Sequence, residues 1–358
     1  MKITWVLPQN YDIPVGGYKI VYQYANQLAK MGHHVRIIFL QSPAYNKKGT
    51  LHNIVRSIYW FMFNKNPFKN RVTWFNLDSK IDIQWNIPAS KLTFDQDEKV
   101  IATAYWTANF VHLAEIPTQN KFYFIQDYEL FSGSAEEVDK TWRLPLNKFA
   151  VSSWLVDLGK NKFNEKVKFI PNFLDEADEF QVTNSITNRG HKIALLNHPN
   201  KRKNTKLGLD ILKAVRKEVP DLEVILFGTE EFDSTDMPYV KYYKRPSRKQ
   251  LRDEVYNQAA VYLLPSEYEG WGLTAMEAMA SGDIVVSNDN GGVNDFIKNG
   301  VNGYIYDFDN HDRIIKELVG IVNRNSIEVA RNATEIVNHF SVGNSANNLL
   351  SFLIAMDK

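Results

Sequence analysis

Apolar residues fall along this chain in short continuous runs, separated by stretches where they return every three or four positions. KITWVLP opens the chain as a β-rich run. Ile20, Val21, Tyr24, Ala25 and Leu28 then share one helical face, Gly32 stands where a helix-ending glycine belongs, and HHVRIIFL is a second strand. A strand, a helix and a strand in that order predict a βαβ unit and a parallel sheet, because the connection is too long for a hairpin. KVIATAY, KFYFIQD, FAVSSWLVDLGKNKF and VKFIPN continue the pattern less cleanly. The composition then turns polar in LDEADEFQVTNSITNRG, which predicts a linker over 173–190.

The alternation restarts with KIALLNHP. TKLGLDILKAVRKEVP predicts a helix with Leu207, Ile211, Leu212 and Val215 on one face and Asn204 as its N-cap. DLEVILFG and VKYYK predict strands, and Ser247 is expected to cap a helix running through Gln258. AVYLLPS, LTAMEAMA and DIVVSN follow as strand, helix and strand, with Gly282 between the last two. The economical architecture is α/β, with two doubly wound domains over residues 1–172 and 191–340. The segment NSANNLLSFLIAMDK, within 341–358, predicts a final helix.

The length of 358 residues suits two domains of about 150–200 residues each. With 44% hydrophobic residues the chain can fill two cores, which excludes disorder as its main state. It has no cysteine, so disulfides, thiolate metal sites and cysteine nucleophiles are excluded. No apolar stretch reaches the roughly 20 residues of a membrane span, and the run after Lys2 stops at Pro8. The expectation is a soluble cytoplasmic protein.

The run PSEYEGWGLTAMEAMASG concentrates the chemistry. It puts Glu269 on the loop after a strand and Glu277 about one turn into the next helix. Gly270, Gly272, Leu273 and Thr274 lie between them at the helix start. A helix N-terminus offers unpaired amides and partial positive charge to a phosphate, and glycines let the backbone come close. Glu277 is suited to accept from ribose hydroxyls and Glu269 from sugar hydroxyls. Two glutamates at one spacing mean little among 41 acidic residues; the glycine-rich setting gives the spacing its weight.

This run resembles the signature of the retaining family-four glycosyltransferases, E-G-x-G-L-x-x-x-E-A-M-A-x-G, in which Glu269 and Glu277 take both acidic places. GGVNDFIKNGVNGYIY resembles a further block of that family, with Asp295 in its acidic position. The resemblance implies the GT-B fold, two Rossmann-like domains facing across a cleft, with the final helix packing back on the N-terminal domain. It also implies transfer, with retention of configuration, from a nucleotide-diphosphate sugar to a glycan or lipid-linked acceptor in bacterial cell-surface polysaccharide synthesis. By the same resemblance Glu269 contacts the donor sugar and Glu277 the nucleotide ribose.

LNHPNKRKN supplies cations at the end of the first strand of domain two. Lys201, Arg202 and Lys203 can neutralise a leaving diphosphate, where charge builds up in the transition state. The family has an arginine and, five residues later, a lysine; Lys203 fits the lysine, while His198 stands in the arginine place. Either His198 helps bind phosphate or Arg202 supplies the guanidinium. Gly16 and Gly17 form a weak signal alone, since G-x-G-x-x-G is absent. The resemblance gives them a place beside the diphosphate and acceptor. YFIQDYELFSG ends a strand in Gln126 and Asp127, followed by Glu129, carboxylates that can bind hydroxyls or act as a base. This run has some likeness to the bacterial rhamnosyltransferase branch.

No metal site and no cofactor are expected: H-E-x-x-H is absent, and Asp307 and Asp309 fall in a late turn. Two rivals share the nucleotide-sugar reading, a sugar-nucleotide 2-epimerase of the same fold and a non-catalytic sugar-nucleotide-binding partner of a transferase. The E-G-x-G-L-x-x-x-E-A-M run speaks against the first, and the intact glutamate pair with Lys203 against the second.

The net charge of +1 excludes a uniformly basic nucleic-acid binder, yet it conceals an asymmetry. Residues 1–77 hold ten basic residues and one acidic, and the rest of the chain is acidic in balance. The basic part contains LHNIVRSIYWFMFNKNPFKNRVTWF, within which residues 51–75 suit an anionic membrane surface and predict a peripheral position at the inner face of the plasma membrane. Its alternative is an acceptor-domain helix with core aromatics and solvated lysines.

Overall fold

The computed structural model describes residues 1–41, 69–175 and 179–357. They form two compact units, residues 1–171 with 342–358, and residues 172–341.

The first unit contains β1 (Lys2–Leu7), α1 (Gly16–Lys30), β2 (His34–Leu40), β3 (Asp82–Ile87) and β4 (Lys99–Ala102). It continues through α2 (Tyr105–Leu113), β5 (Lys121–Ile125), α3 (Ala135–Trp142), β6 (Asn147–Ala150), α4 (Ser153–Phe163) and β7 (Val167–Phe169). The seven strands are all parallel in the order β3-β2-β1-β4-β5-β6-β7. Ile3, Trp5, Val6 and Leu7 of β1 are buried, as the uninterrupted apolar run of a strand covered on both faces requires. Aromatics do much of the packing. Trp5 stacks on Tyr24 at 5.7 Å, Phe124 stacks on Phe149 at 4.7 Å, and Trp74 and Phe75 lie 5.5 and 5.4 Å from Tyr22. The aromatic excess of the sequence is thus partly core.

The second unit contains β8 (Lys192–Asn197), α5 (Thr205–Glu218), β9 (Glu223–Gly228), β10 (Val240–Lys244) and β11 (Val261–Leu264). After these come α6 (Leu273–Ala280), β12 (Ile284–Asn288), β13 (Tyr304–Tyr306), α7 (His311–Arg324) and α8 (Ile327–Val337). Its six strands are also parallel, in the order β10-β9-β8-β11-β12-β13. Ile211, Leu212 and Val215 are buried, and Leu207 packs half-buried beside them. The last helix, α9 (Val342–Ala355), belongs to the first unit. There Phe352 meets Phe122 and Phe149 at 5.7 and 5.9 Å, Ser345 donates to the Pro171 carbonyl at 2.9 Å, and Lys99 pairs with Asp357.

Several local expectations need correction. Of the expected linker, the described residues 179–190 are not a free connector. Ile186 joins the core of the second unit, and Arg189 is 1% exposed. The Arg189 guanidinium donates to the carbonyls of Asn184, Tyr256, Ala259 and Ser281 and pairs with Asp283 at 2.7 Å. A polar, mostly exposed stretch is thus anchored to the second unit by two buried side chains, Ile186 and Arg189. Asn204 precedes α5 in a left-handed conformation (φ 50°) and makes no side-chain cap; its amide donates to Glu267 at 3.3 Å instead. The helical stretch after Ser247 is capped as expected but changes winding, from α (Arg248–Gln250) to π (Leu251–Val255) to 3-10 (Tyr256–Gln258). β3 and β13 escaped the hydrophobic pattern because both are sheet-edge strands with no fully buried residue.

The basic residues 51–75 lie mostly outside the described residues. From Lys69 on, the chain is tied to the β1–α1 loop: the Asn10 side chain donates to Lys69 and Arg71 carbonyls, and Asp12 pairs with Arg71 and accepts from Thr73. Among the described residues no helix is long and apolar enough to cross a membrane.

Candidate functional site

In the second unit the strand order reverses between β8 and β11, and the loops at the carboxyl ends of these two strands flank the place where open α/β sheets bind ligands. The β8 loop carries His198, Arg202 and Lys203; the β11 loop carries Glu269, Gly270 and Gly272 and leads into α6.

These loops meet in an ion pair. Lys203 Nζ lies 2.7 Å from both Oε1 and Oε2 of Glu269, whose side chain is only 9% exposed. A carboxylate so enclosed needs a partner, and Lys203 provides it from a side chain that still reaches solvent. The backbone fixes the pair from both sides. Glu267 N–H donates to the Arg202 carbonyl at 2.8 Å, and Glu269 N–H donates to the Asn290 carbonyl at 3.1 Å. Gly292 lies so close under this loop that a Cβ would sit 2.7 Å from the Glu269 carbonyl oxygen, so the glycine pair at 291–292 is where two backbones touch.

Gly272 turns the loop into α6 with φ 96°, a left-handed conformation that favours glycine. Leu273 and Thr274 begin the helix half-buried, with the first-turn amides free of helix partners. Tyr262 of β11 donates its hydroxyl to Thr274 Oγ1 at 2.9 Å. One turn on, Glu277 is 8% exposed and accepts from the Tyr256 hydroxyl at 3.2 Å through Oε2. Neither tyrosine was singled out by sequence reasoning, and no local motif marks them.

The surroundings of His198 bear on its charge state. Its Nδ1 accepts the Asn200 N–H at 3.0 Å, which requires that nitrogen to be unprotonated. Burial of the ring, then the charge of Lys203, hold its pKa below 6.5. The imidazole is therefore neutral at pH 7 and cannot replace a guanidinium; it presents an Nε2–H donor. The cations here are Lys203 and Arg202. The Arg202 guanidinium lies 5.7 Å from the ring centre of the exposed Tyr268.

The other candidates belong to the first unit. Gly16 and Gly17 open α1, which has no side-chain N-cap, and a Cβ on Gly17 would lie 3.3 Å from the Gln126 amide. The start of α1 and the end of β5 are thus in contact. Asp127 is half-buried and accepts the Tyr128 N–H at 2.7 Å. Glu129 accepts the Tyr105 N–H at the start of α2 at 2.6 Å; burial, opposed by this bond and aided by Asp127, pushes its pKa up to about 8. The shift favours the protonated carboxyl near neutral pH, and the bond from Tyr105 anchors the loop. Asp307 and Asp309 lie in a turn where Asp309 N–H donates to Asp307, and among the described residues no group of acidic or histidine side chains could hold a metal ion.

Two all-parallel Rossmann-like units in one chain, with these loops at the switch point of the second, define an α/β protein of the GT-B fold. Residues 177–335, nearly all of the second unit, match the family described as Glycosyl transferases group 1. The chain is 35% identical over 104 residues, 26% of its length, to the UDP-N-acetylglucosamine--peptide N-acetylglucosaminyltransferase GtfA subunit of Streptococcus pneumoniae, covering 21% of that protein. It is 22% identical over 215 residues, 58% of its length, to the poly(glycerol-phosphate) alpha-glucosyltransferase of Bacillus subtilis, covering 32% of it. The matched stretches therefore span about a fifth to a third of these curated relatives. Among solved structures, that of a mutant S. aureus TarM in complex with fondaparinux, alpha-GlcNAc-glycerol and UDP is similar over 99% of this chain and 100% of that one, with a TM-score of 0.71 and 14% identity.

Proposed function

We propose that the protein is a retaining glycosyltransferase that moves a sugar from a nucleoside-diphosphate sugar to a glycan or lipid-linked acceptor in bacterial cell-surface polysaccharide synthesis. The observation that carries this reading is the Lys203–Glu269 pair in the loop before α6, with the buried carboxylate of Glu277 one turn into that helix. The donor lies with its diphosphate on the α6 amides, Thr274, Lys203 and Arg202, its ribose hydroxyls on Glu277 and its sugar hydroxyls on Glu269. Gly270 and Gly272 let backbone approach it, and His198 donates a neutral hydrogen bond. UDP is the favoured carrier, since UDP is named with TarM and UDP-N-acetylglucosamine with the GtfA subunit.

Bond cleavage places negative charge on the leaving diphosphate. Fixed cations and amides stabilise that charge without being reorganised, which is why a metal ion is not required in this reading. Attack comes from the face the diphosphate leaves, and the departing phosphate oxygen takes the acceptor's proton. Burial raises the pKa of Glu129, which disfavours the carboxylate that the nucleophile of a double displacement needs. The first unit is assigned to the acceptor, with Gly16 and Gly17 framing the site and Asp127 binding its hydroxyls.

The test is a panel of UDP-, GDP- and dTDP-sugars with the protein in EDTA. Slow release of free sugar and nucleoside diphosphate supports the transferase. Release of an epimerised sugar nucleotide without an acceptor would show the 2-epimerase, and binding without turnover under any condition would show a non-catalytic partner. Full loss in EDTA that magnesium restores would refute the metal-free route. Salt-sensitive association with anionic vesicles would support a peripheral membrane position.

A further inference from the structure

The donor site rests on two buried phenols. Tyr256 and Tyr262 are both 0% exposed, with ring centres 5.9 Å apart at 79°, and Phe227 lies against both at 5.7 and 6.3 Å. Each sends its hydroxyl to a different residue of α6, Tyr256 to Glu277 and Tyr262 to Thr274. Buried phenols stay where they can hydrogen-bond, and here both bonds fall on residues of the donor motif.

We propose that Tyr256 and Tyr262 are positioning residues that orient α6 toward a nucleoside diphosphate, Tyr256 by fixing the Glu277 carboxylate for the ribose and Tyr262 by fixing the Thr274 hydroxyl for a phosphate oxygen. The inference rests on the donor reading above. A phenol donating to Glu277 Oε2 holds the carboxylate plane, and with it the direction in which the group accepts from ribose hydroxyls. A phenol donating to Thr274 Oγ1 occupies a lone pair of that oxygen, so the threonine's own proton can point at a phosphate. Burial raises the pKa of both phenols above the ordinary range, so each remains a donor throughout the working pH range.

The backbone supports this assignment. Tyr256 opens the 3-10 turn that follows a π-wound stretch, and Val255 just before it has φ −109° and ψ −78°. π-winding inserts extra backbone and re-aims the residues after it, and it recurs at functional sites. One guanidinium then holds both ends of the Tyr256–Glu277 contact. Arg189 donates to the Tyr256 carbonyl at 3.0 Å and to the Ser281 carbonyl, at the end of α6, at 2.7 Å.

The experiment measures Kd by calorimetry for UDP and for 2′,3′-dideoxy-UDP, with wild type, Tyr256→Phe, Tyr262→Phe, Thr274→Val and the Tyr262→Phe/Thr274→Val double variant. Tyr256→Phe is expected to weaken UDP about three- to tenfold, the net worth of one ordinary hydrogen bond, because the loss reaches the ribose only through the orientation of Glu277, and to leave the dideoxy analogue unchanged. Tyr262→Phe is expected to weaken both nucleotides alike when Thr274 is retained. Added to Thr274→Val, it is expected to weaken neither further. A merely structural tyrosine would weaken both probes equally whether or not Thr274 is replaced, and that pattern overturns the proposal. If wild type binds GDP or ADP in place of UDP, that nucleotide and its dideoxy analogue serve as the pair. If it binds no nucleoside diphosphate at millimolar concentration, the donor reading itself falls, before any variant is compared.

Discussion

Lys203 Nζ stands 2.7 Å from each carboxylate oxygen of Glu269, so the two residues proposed to hold different parts of the donor neutralise each other. A diphosphate must draw Lys203 away from Glu269, and sugar hydroxyls then take its place on the carboxylate. Glu269→Gln removes that competition. UDP is expected to bind it as tightly as wild type or severalfold more tightly, while sugar transfer falls about 100- to 1000-fold, the usual scale for losing one preorganised transition-state contact. Lys203→Ala is expected to lose UDP affinity and turnover together. Calorimetry with a transfer or hydrolysis assay checks both, and loss of UDP binding in Glu269→Gln would show the pair to be structural only.

Glu277→Ala is expected to raise the Kd for UDP about tenfold, since it removes a charged acceptor and strands the Tyr256 hydroxyl. Wild-type activity in both Glu277→Ala and Lys203→Ala would remove the site from consideration.

His198 makes its contribution as a neutral ring. A histidine whose folded pKa lies below 6.5 takes up fewer protons than in the unfolded chain. The stability it contributes is fully present above that pH and is lost as the pH falls toward the folded value. Thermal melting of wild type is expected to drop between pH 7 and 5.5 more steeply than that of His198→Gln, whose amide oxygen still accepts the Asn200 N–H. Parallel curves would contradict the assignment.

Glu129 acts in the opposite sense across a different window. Its carboxyl is raised from 4.5 to about 8, so the folded state holds a proton that the unfolded chain releases. Stability is then lost as pH rises through that interval. Glu129→Gln keeps an acceptor for the Tyr105 N–H and carries no charge. Its melting temperature is expected to match wild type near pH 4.5 and to exceed it by at least about 2 °C at pH 8. A constant difference across the range would show that the carboxyl is not protonated.

Arg189 and Asp283 form an ion pair with both side chains 0% exposed. Arg189→Met leaves Asp283 buried without its cation and takes the guanidinium donor from the carbonyls of Ala259 and Ser281, and is expected to cost about 3–5 kcal/mol. Removing both charges in Arg189→Met/Asp283→Leu restores part of that loss, because no uncompensated charge remains. Urea denaturation of the three proteins checks the order; a double variant less stable than the single one would overturn it.

Much of the architecture was legible because it depends on periodicity. Continuous runs such as VILFG and YLLP demand strands covered on both faces, and Ile211, Leu212 and Val215 demand a helix with one buried side. Edge strands β3 and β13 bury too little to leave that pattern. The segment before Arg189 misled for the converse reason. Thr183 and Asn184 send their N–H groups to the Asn257 side chain, so a polar sequence hides an anchored segment.

The sequence by itself determined the two doubly wound units, the loop carrying Glu269 and the helix carrying Glu277, because strand and helix periods and glycine spacing are local properties. Only the tertiary structure decided that Lys203 is the residue paired with Glu269, 66 positions away, that His198 is neutral, and that Tyr256 and Tyr262 stand behind α6. Charge state and hydrogen-bond partner depend on which groups fold against one another from distant parts of the chain, and no local pattern of residues encodes that.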